Sequence, residues 1–243
     1  MTPIISIIIP AYNEEKRLQL TLLSLSQELL LYPHFEFEVF VVDDGSNDST
    51  ESVAKTFQSH IKNLTVMRGE KNRGKGFAVK QGMRAAHGNW RLFMDADNAT
   101  PFSEFSKMIP YLEQNYDILI GSRNISGSKI VVSQPWNRKI LGLMGVFFVK
   151  SIFLLNNSDI HCGFKCFRGE VANKIFSQTK INRWVFDDEV LILAKKMGYT
   201  IKEIPITWGD VKMHSTVKMS DYVASLFDIL RIKYWLITKQ YSL

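Results

Sequence analysis

The chain has 243 residues, 46% hydrophobic and 22% charged, which excludes disorder, collagen-like repeats and low-complexity composition. The formal charge of +6 suits an anionic partner such as a nucleotide, a lipid phosphate or a nucleic acid without choosing among them, and two cysteines exclude a disulfide scaffold and point to a reducing compartment. No signal peptide is visible and no apolar run reaches the roughly 20 residues of a membrane span. The expectation is a cytoplasmic protein, peripheral on the cytoplasmic face of a membrane.

Residues 4–9 form an unbroken run rich in β-branched residues that ends at Pro10, which predicts a strand buried on both faces. Residues 37–42 read the same way, and 64–68, 90–94 and 118–120 complete five short strands. Helices are expected between them at 14–30, 49–60, 75–87 and 103–115. In the first, Leu18, Leu22, Leu25 and Leu29 recur at helical spacing. Asp48, Ser49 and Thr50 offer cap oxygens to the second. Alternating strand and helix predicts a mainly parallel α/β sheet with helices on both faces, and ligands bind beyond the carboxyl ends of such strands. Those ends carry Pro10-Ala11-Tyr12-Asn13-Glu14, Asp43-Asp44-Gly45-Ser46 and Asp95-Ala96-Asp97.

Residues 123–158 contain no Asp or Glu but carry Arg123, Lys129, Arg138, Lys139 and Lys150 around an apolar run at 140–155. Beyond it are expected a strand or turn near Gly163, a helix at 185–197, a strand at 201–206 and an amphipathic helix at 220–238. The chain reads as one domain of two halves, 1–122 and 123–243.

Asp95 and Asp97, one residue apart at a strand end, can share one hard cation with a diphosphate, so magnesium or manganese is the expected cofactor; the bland alternative is a turn. The Asp44 carboxylate can accept hydrogen bonds from a nucleobase or ribose. The loop Gly69-Glu70-Lys71-Asn72-Arg73-Gly74-Lys75-Gly76 is not a P-loop, because Gly76 replaces the hydroxyl residue and the loop follows the third strand. Its basic, glycine-rich entry to a helix, with Lys75 at the first turn, still suits an anion; the bland alternative is a flexible turn. His161, Cys162 and Cys166 lack a second pair for a zinc site, and no nucleophile elbow supports Ser-His-Asp catalysis.

These residues carry a resemblance. Ile7-Ile8-Ile9-Pro10-Ala11-Tyr12-Asn13-Glu14-Glu15, Val41-Val42-Asp43-Asp44-Gly45-Ser46, Asn72-Arg73-Gly74-Lys75-Gly76 and Met94-Asp95-Ala96-Asp97 follow the order of family 2 glycosyltransferases with the GT-A fold. Gly121-Ser122-Arg123, Gly163-Phe164-Lys165, Phe186-Asp187-Asp188-Glu189 and Glu203-Ile204-Pro205-Ile206-Thr207-Trp208 resemble its polyprenyl-phosphate branch, of the dolichyl-phosphate β-glucosyltransferase type, with dolichol-phosphate mannose synthases as near relatives. The resemblance implies a mixed, mainly parallel Rossmann-like sheet with C-terminal amphipathic helices. It implies that Pro10, Tyr12, Glu14 and Asp44 hold the nucleotide, and that Asp95 and Asp97 bind metal and diphosphate. Arg123 and Arg138 would meet donor or acceptor phosphate, and Ser215 and Lys218 would belong to a closing loop. Some mannose synthases place a glutamine where this chain has Ala99, which favours the glucosyl-type pattern.

The expected activity is inverting transfer of a hexose, glucose from UDP-glucose, to a polyprenyl phosphate. That nucleophile is already anionic and requires no general base. The alternative is a sugar-hydroxyl acceptor in polysaccharide, glycolipid or glycoprotein glycan synthesis. It would need a base, with Asp187, Asp188 and Glu189 as candidates. A membrane-surface binding protein with a degenerate core is disfavoured by the intact Asp44, Asp95 and Asp97. Nucleic acid is not an expected partner, because the basic residues flank an apolar run and are not interleaved with aromatics.

Overall fold

The computed structural model describes residues 4–132, 136–210 and 219–243. The first half alternates β1 (Ile4–Ala11), α1 (Glu15–Glu28), β2 (Glu36–Asp43), α2 (Thr50–Thr56), β3 (Leu64–Arg68), α3 (Lys75–Ala85) and β4 (Trp90–Met94). Then come α4 (Ile109–Leu112), β5 (Ile118–Ser122), β6 (Lys129–Val132) and α5 (Trp136–Phe153). The chain continues through β7 (Phe164–Arg168), α6 (Gly169–Gln178), α7 (Phe186–Lys196), β8 (Ile201–Pro205), β9 (Thr207–Gly209) and α8 (Met219–Ile237).

Seven strands make one sheet in the order β3-β2-β1-β4-β7-β5-β8, and β6 pairs with β9 in a separate two-stranded ribbon. All neighbours in the large sheet are parallel except β7, which runs antiparallel between β4 and β5. A strand from the second half therefore completes the sheet of the first. Alternate side chains of β1 feed two cores. Ile5, Ile7 and Ile9 pack with Leu18, Leu22 and Leu25 of α1, while Ile8 faces Ala78, Val79 and Met83 of α3. Burial on both faces is why the strands read as continuous apolar runs.

Several expectations shift. The helix expected at 103–115 is instead a 3-10 segment, Phe102–Lys107, followed by the short α4, whose Pro110 sits in its first turn. Phe102 and Phe105 stack in the core, so burial sets the local path. The cap of α2 is Asp48, whose Oδ1 accepts the Thr50 N–H at 3.0 Å; the Ser49 side chain makes no cap bond. The helix α6, not foreseen, packs against α3 and α7.

α5 and α8 present Leu143, Phe147, Phe148, Val223, Phe227 and Leu230 to the exterior. The Lys233 ammonium lies 5.9 Å from the Phe153 ring centre, which brings the two helices together. Phe153 and Trp235 turn inward. Phe153 is buried and Trp235 packs edge-on against Tyr241. No helix among the described residues is long and apolar enough to cross a membrane.

Candidate active site

The sheet register gathers the polar strand ends. Ala11 pairs with Asp43, and the Asp44 N–H donates to the Ala11 carbonyl at 2.9 Å, so Tyr12 leaves the sheet beside Asp44 while Pro10 is still paired with Val42 in β1. Met94 pairs with Phe164, so Asp95 and Gly163 emerge side by side from antiparallel strands. A Cβ placed on Gly163 would fall on the Asp95 carboxylate. The turn after β4 is fastened to α1, because the Thr21 hydroxyl donates to the Ala96 carbonyl at 2.7 Å.

Lys75, the first residue of α3, forms an ion pair with Asp95. Burial lowers the Lys75 ammonium's proton affinity, but Asp95 and Asp187 outweigh it and hold the group well above its ordinary value. Asp97 Oδ1 accepts the Ala99 N–H at 3.1 Å, and its Oδ2 lies 4.0 Å from Arg17 Nη1. Burial raises the Asp97 carboxyl, and repulsion from Asp95 raises it further. Glu14, paired with Arg17, is pushed up to about 7, chiefly by burial, with Asp97 and Asp95 adding to it. Three of the expected site carboxylates thus crowd one edge, and their mutual repulsion is opposed by Lys75 and Arg17.

The glycine-rich loop behaves differently from the expected anion cradle. Its Arg73 and Gly74 N–H groups donate to the carboxylate of buried Asp44. Gly74 has φ of +111°, a conformation that side chains disfavour, and this turns those amides inward. Burial raises the Asp44 carboxyl, although the two N–H groups pull it back. Lys75, and not the loop amides, is the group in this segment that faces Asp95.

Arg123 extends from β5 into a bidentate pair with buried Asp159, Nε–Oδ2 at 2.6 Å and Nη2–Oδ1 at 2.8 Å, and lies 5.2 Å from the Trp208 ring centre. The first turn of α7 is fully committed. Asp187 pairs with Lys165, which is buried in β7 and also donates to the Cys162 carbonyl at 2.7 Å. Asp188 meets His161 Nε2 at 3.1 Å. Glu189 accepts the Lys180 and Ile181 N–H groups and the Tyr241 hydroxyl. Ser215 and Lys218 lie outside the described residues, as does the side chain of Arg138.

The family model for glycosyl transferase family 2 matches residues 6–176. The chain belongs to that family. This family 2 glycosyltransferase is 34% identical over 244 residues to the dolichyl-phosphate beta-glucosyltransferase of Dictyostelium discoideum, covering 95% of this chain and 74% of the relative. The Homo sapiens protein of the same name is 32% identical, covering 94% of this chain and 74% of its own length. Among solved structures, the enzyme's fold is similar to Mycobacterium tuberculosis glucosyl-3-phosphoglycerate synthase in complex with Mn2+, UDP and glucosyl-3-phosphoglycerate. That match has a TM-score of 0.67 and 19% identity, and covers 95% of this chain and 78% of that one. It is also similar to S. aureus TarS 1–349 in complex with UDP-GlcNAc, with a TM-score of 0.62 and 22% identity, covering 94% and 66%. The sheet with its flanking helices is therefore the GT-A fold.

The carboxylate pair of this glycosyltransferase fits a divalent cation. Asp95 and Asp97 are hard oxygen donors on one short turn, and a cation there would offset both the burial that chiefly raises the Asp97 carboxyl and its repulsion from Asp95. Among the described residues no group of three or more His, Cys, Asp or Glu forms an all-protein cage. The sequence motifs marked Gly163, Lys165 and Asp187, but not Asp159, the approach of Gly163 to Asp95 or the pairing of Lys165 with Asp187. A lysine inside the apolar stretch Phe164–Arg168 was the available signal, because a buried lysine requires a buried partner.

Proposed function

We propose that this glycosyltransferase moves glucose from UDP-glucose to the phosphate of a polyprenol such as dolichol, with inversion at the sugar carbon. The observation that carries the reading is the joining of two features. Asp95 pairs with Lys75 beside Asp97 at the carboxyl edge of the sheet, in a fold whose solved neighbour was crystallised with UDP and Mn2+, and relatives named dolichyl-phosphate beta-glucosyltransferase align over almost the whole chain.

Pro10, Tyr12, Glu14 and Asp44 would hold the nucleoside end, with Asp44 oriented by the Arg73 and Gly74 amides. Asp95 and Asp97 would hold magnesium or manganese, which supplies charge stabilisation to the leaving diphosphate. The Lys75 ammonium, kept protonated by Asp95 and Asp187, faces the same diphosphate. Arg123, fixed by Asp159, and Arg138 would place the acceptor phosphate, and Ser215 and Lys218 would close over the donor. A phosphate oxygen then bonds to the sugar carbon on the face opposite the diphosphate, the carbon–oxygen bond to UDP breaks, and no proton need be removed. The apolar faces of α5 and α8 would rest on the cytoplasmic leaflet that carries the acceptor.

The test is a panel of nucleotide sugars offered with dolichyl and undecaprenyl phosphates, read as lipid-linked sugar. UDP-glucose with a polyprenyl phosphate is the expected productive pair. Transfer to a sugar hydroxyl, with none to either lipid phosphate, would overturn the reading.

A further inference from the structure

Glu189 is wholly buried, and the proposed chemistry leaves it no task. Its carboxylate is the centre of a clamp. Oε1 and Oε2 accept the Lys180 N–H at 2.8 and 3.0 Å, and Oε2 accepts the Ile181 N–H at 2.9 Å. The Tyr241 hydroxyl donates to Oε1 at 2.7 Å. Tyr241 reaches this buried position because the chain reverses after α8, with Lys239 at φ +54° and the Ser242 N–H bound to Gln178 Oε1 at 2.8 Å. The Lys180 ammonium lies 5.5 Å from the ring centres of both Trp235 and Tyr241.

The loop held by this clamp continues directly to the donor side of the site. The Asn182 carbonyl accepts the Phe77 N–H of α3 at 3.0 Å, and a Cβ on Gly74 would lie 2.5 Å from that same carbonyl oxygen. The Lys80 ammonium donates to the Thr179 carbonyl at 2.6 Å, a second tie between α3 and this loop. Gly74, backed by Asn182, gives its N–H to Asp44. One unbroken set of contacts therefore runs from Tyr241 through Glu189, Lys180, Ile181 and Asn182 to Gly74 and Asp44.

We infer that Tyr241 is a positioning residue for the nucleoside end of the donor site, acting through Glu189 and the 180–182 loop that backs Gly74. The inference rests on the assignment of Asp44 to the nucleotide. Tyr241→Phe removes the clamping hydroxyl and keeps the ring. In the full chain with magnesium, UDP should bind about five- to tenfold more weakly to this variant, in the ordinary range of coupling between separated sites. The donor KM should rise alike, with kcat at saturating donor and the acceptor KM staying within about twofold. A lower melting temperature with unchanged UDP affinity would assign Tyr241 to stability alone and overturn the inference. Failure of the wild-type chain to bind UDP would instead overturn the donor reading. Hydrogen exchange of the wild type provides a second measurement that needs no variant. Binding is reciprocal, so saturating UDP should slow exchange at Lys180 and Ile181 together with Arg73 and Gly74. Protection confined to Arg73 and Gly74 would also overturn it.

Discussion

Gly163 lies against the carboxylate of Asp95, so that a single carbon added at Gly163 would occupy the space of that carboxylate. Asp95 is partly exposed and can swing outward, so the fold need not break. Gly163→Ala is expected to move Asp95 away from Lys75 and Asp97, and a displacement of about 1 Å costs on the order of 100-fold in rate. The expected outcome is a large fall in turnover with a nearly unchanged melting temperature. Equal activity in the variant would show that the Asp95 position does not matter to the chemistry.

Asp97→Ala should abolish transfer without unfolding the chain, because it removes a charged ligand and no core volume. Losing one electrostatic contact of this kind costs about 3 kcal/mol in the barrier, near 100-fold in rate. Relief of the repulsion with Asp95 should leave thermal stability equal or higher. Turnover near wild type with magnesium or manganese would remove Asp97 from the metal site.

The legible parts of this protein were those written in contiguous residues. β1 and β2 announced themselves as apolar runs, and the register of the parallel sheet then placed Asp44, Asp95 and Tyr12 on one edge. β7 was only glimpsed near Gly163, because Phe164–Arg168 contains a lysine that looks exposed until Asp187, 22 residues away, neutralises it. The pairs Arg123–Asp159 and Glu189–Tyr241 join segments 36 and 52 residues apart, and no local pattern marks either partner. The failed helix at 103–115 had the right period, but burial of Phe102 and Phe105 drew the chain into tighter turns.

Asp187, Asp188 and Glu189 can be separated by what each already holds. Asp187→Asn strands the buried charge of Lys165, and breaking such a pair costs about 3–5 kcal/mol. Its effect should appear first as a lower melting temperature. Asp188→Asn should be milder, since His161 is partly exposed and can shed its proton. With a phosphate acceptor, Asp188→Asn keeps most of its chemical rate. A loss of about 100-fold or more at Asp188 with donor binding intact is what a missing general base produces, and it would favour a hydroxyl acceptor.

The Arg123–Asp159 pair should shape the acid limb of stability. Burial alone would raise the Asp159 carboxyl; the Arg123 guanidinium outweighs it and holds the group below the ordinary carboxylate range. A carboxyl depressed on folding adds stability that is complete above its unfolded pKa, about 3.9, and is lost as pH falls through the folded value. Asp159→Asn should therefore lose about 3 kcal/mol at neutral pH, the cost of breaking a largely buried pair. The gap to wild type should narrow as the pH drops from about 3.9 down through the lower folded value. Urea unfolding at a series of pH values measures it, and a gap independent of pH would show that the pair contributes nothing through ionisation.

On the proposed reading, the exposed faces of α5 and α8 carry the contact with the membrane that holds the lipid acceptor. Phe147 and Phe227 are 74% and 61% exposed, and Lys150, Arg231 and Lys233 lie on the same helices. An interfacial helix combines such apolar side chains with basic ones, and each basic residue near an anionic surface contributes about 1 kcal/mol. Arg231 already pairs with Asp228 at 3.0 Å, so its share should be the smaller. Purified protein is expected to float with anionic vesicles at low salt and less well at high salt, where screening shortens the reach of the charges. Replacing Phe147 and Phe227 together by serine should abolish flotation while leaving transfer to a short soluble prenyl phosphate intact, because neither side chain enters the candidate site. Wild-type protein that never floats on anionic vesicles at low salt, yet glycosylates the soluble acceptor, would assign this surface to contact with another protein. A double variant that floats as well as wild type would locate the membrane contact elsewhere on the molecule.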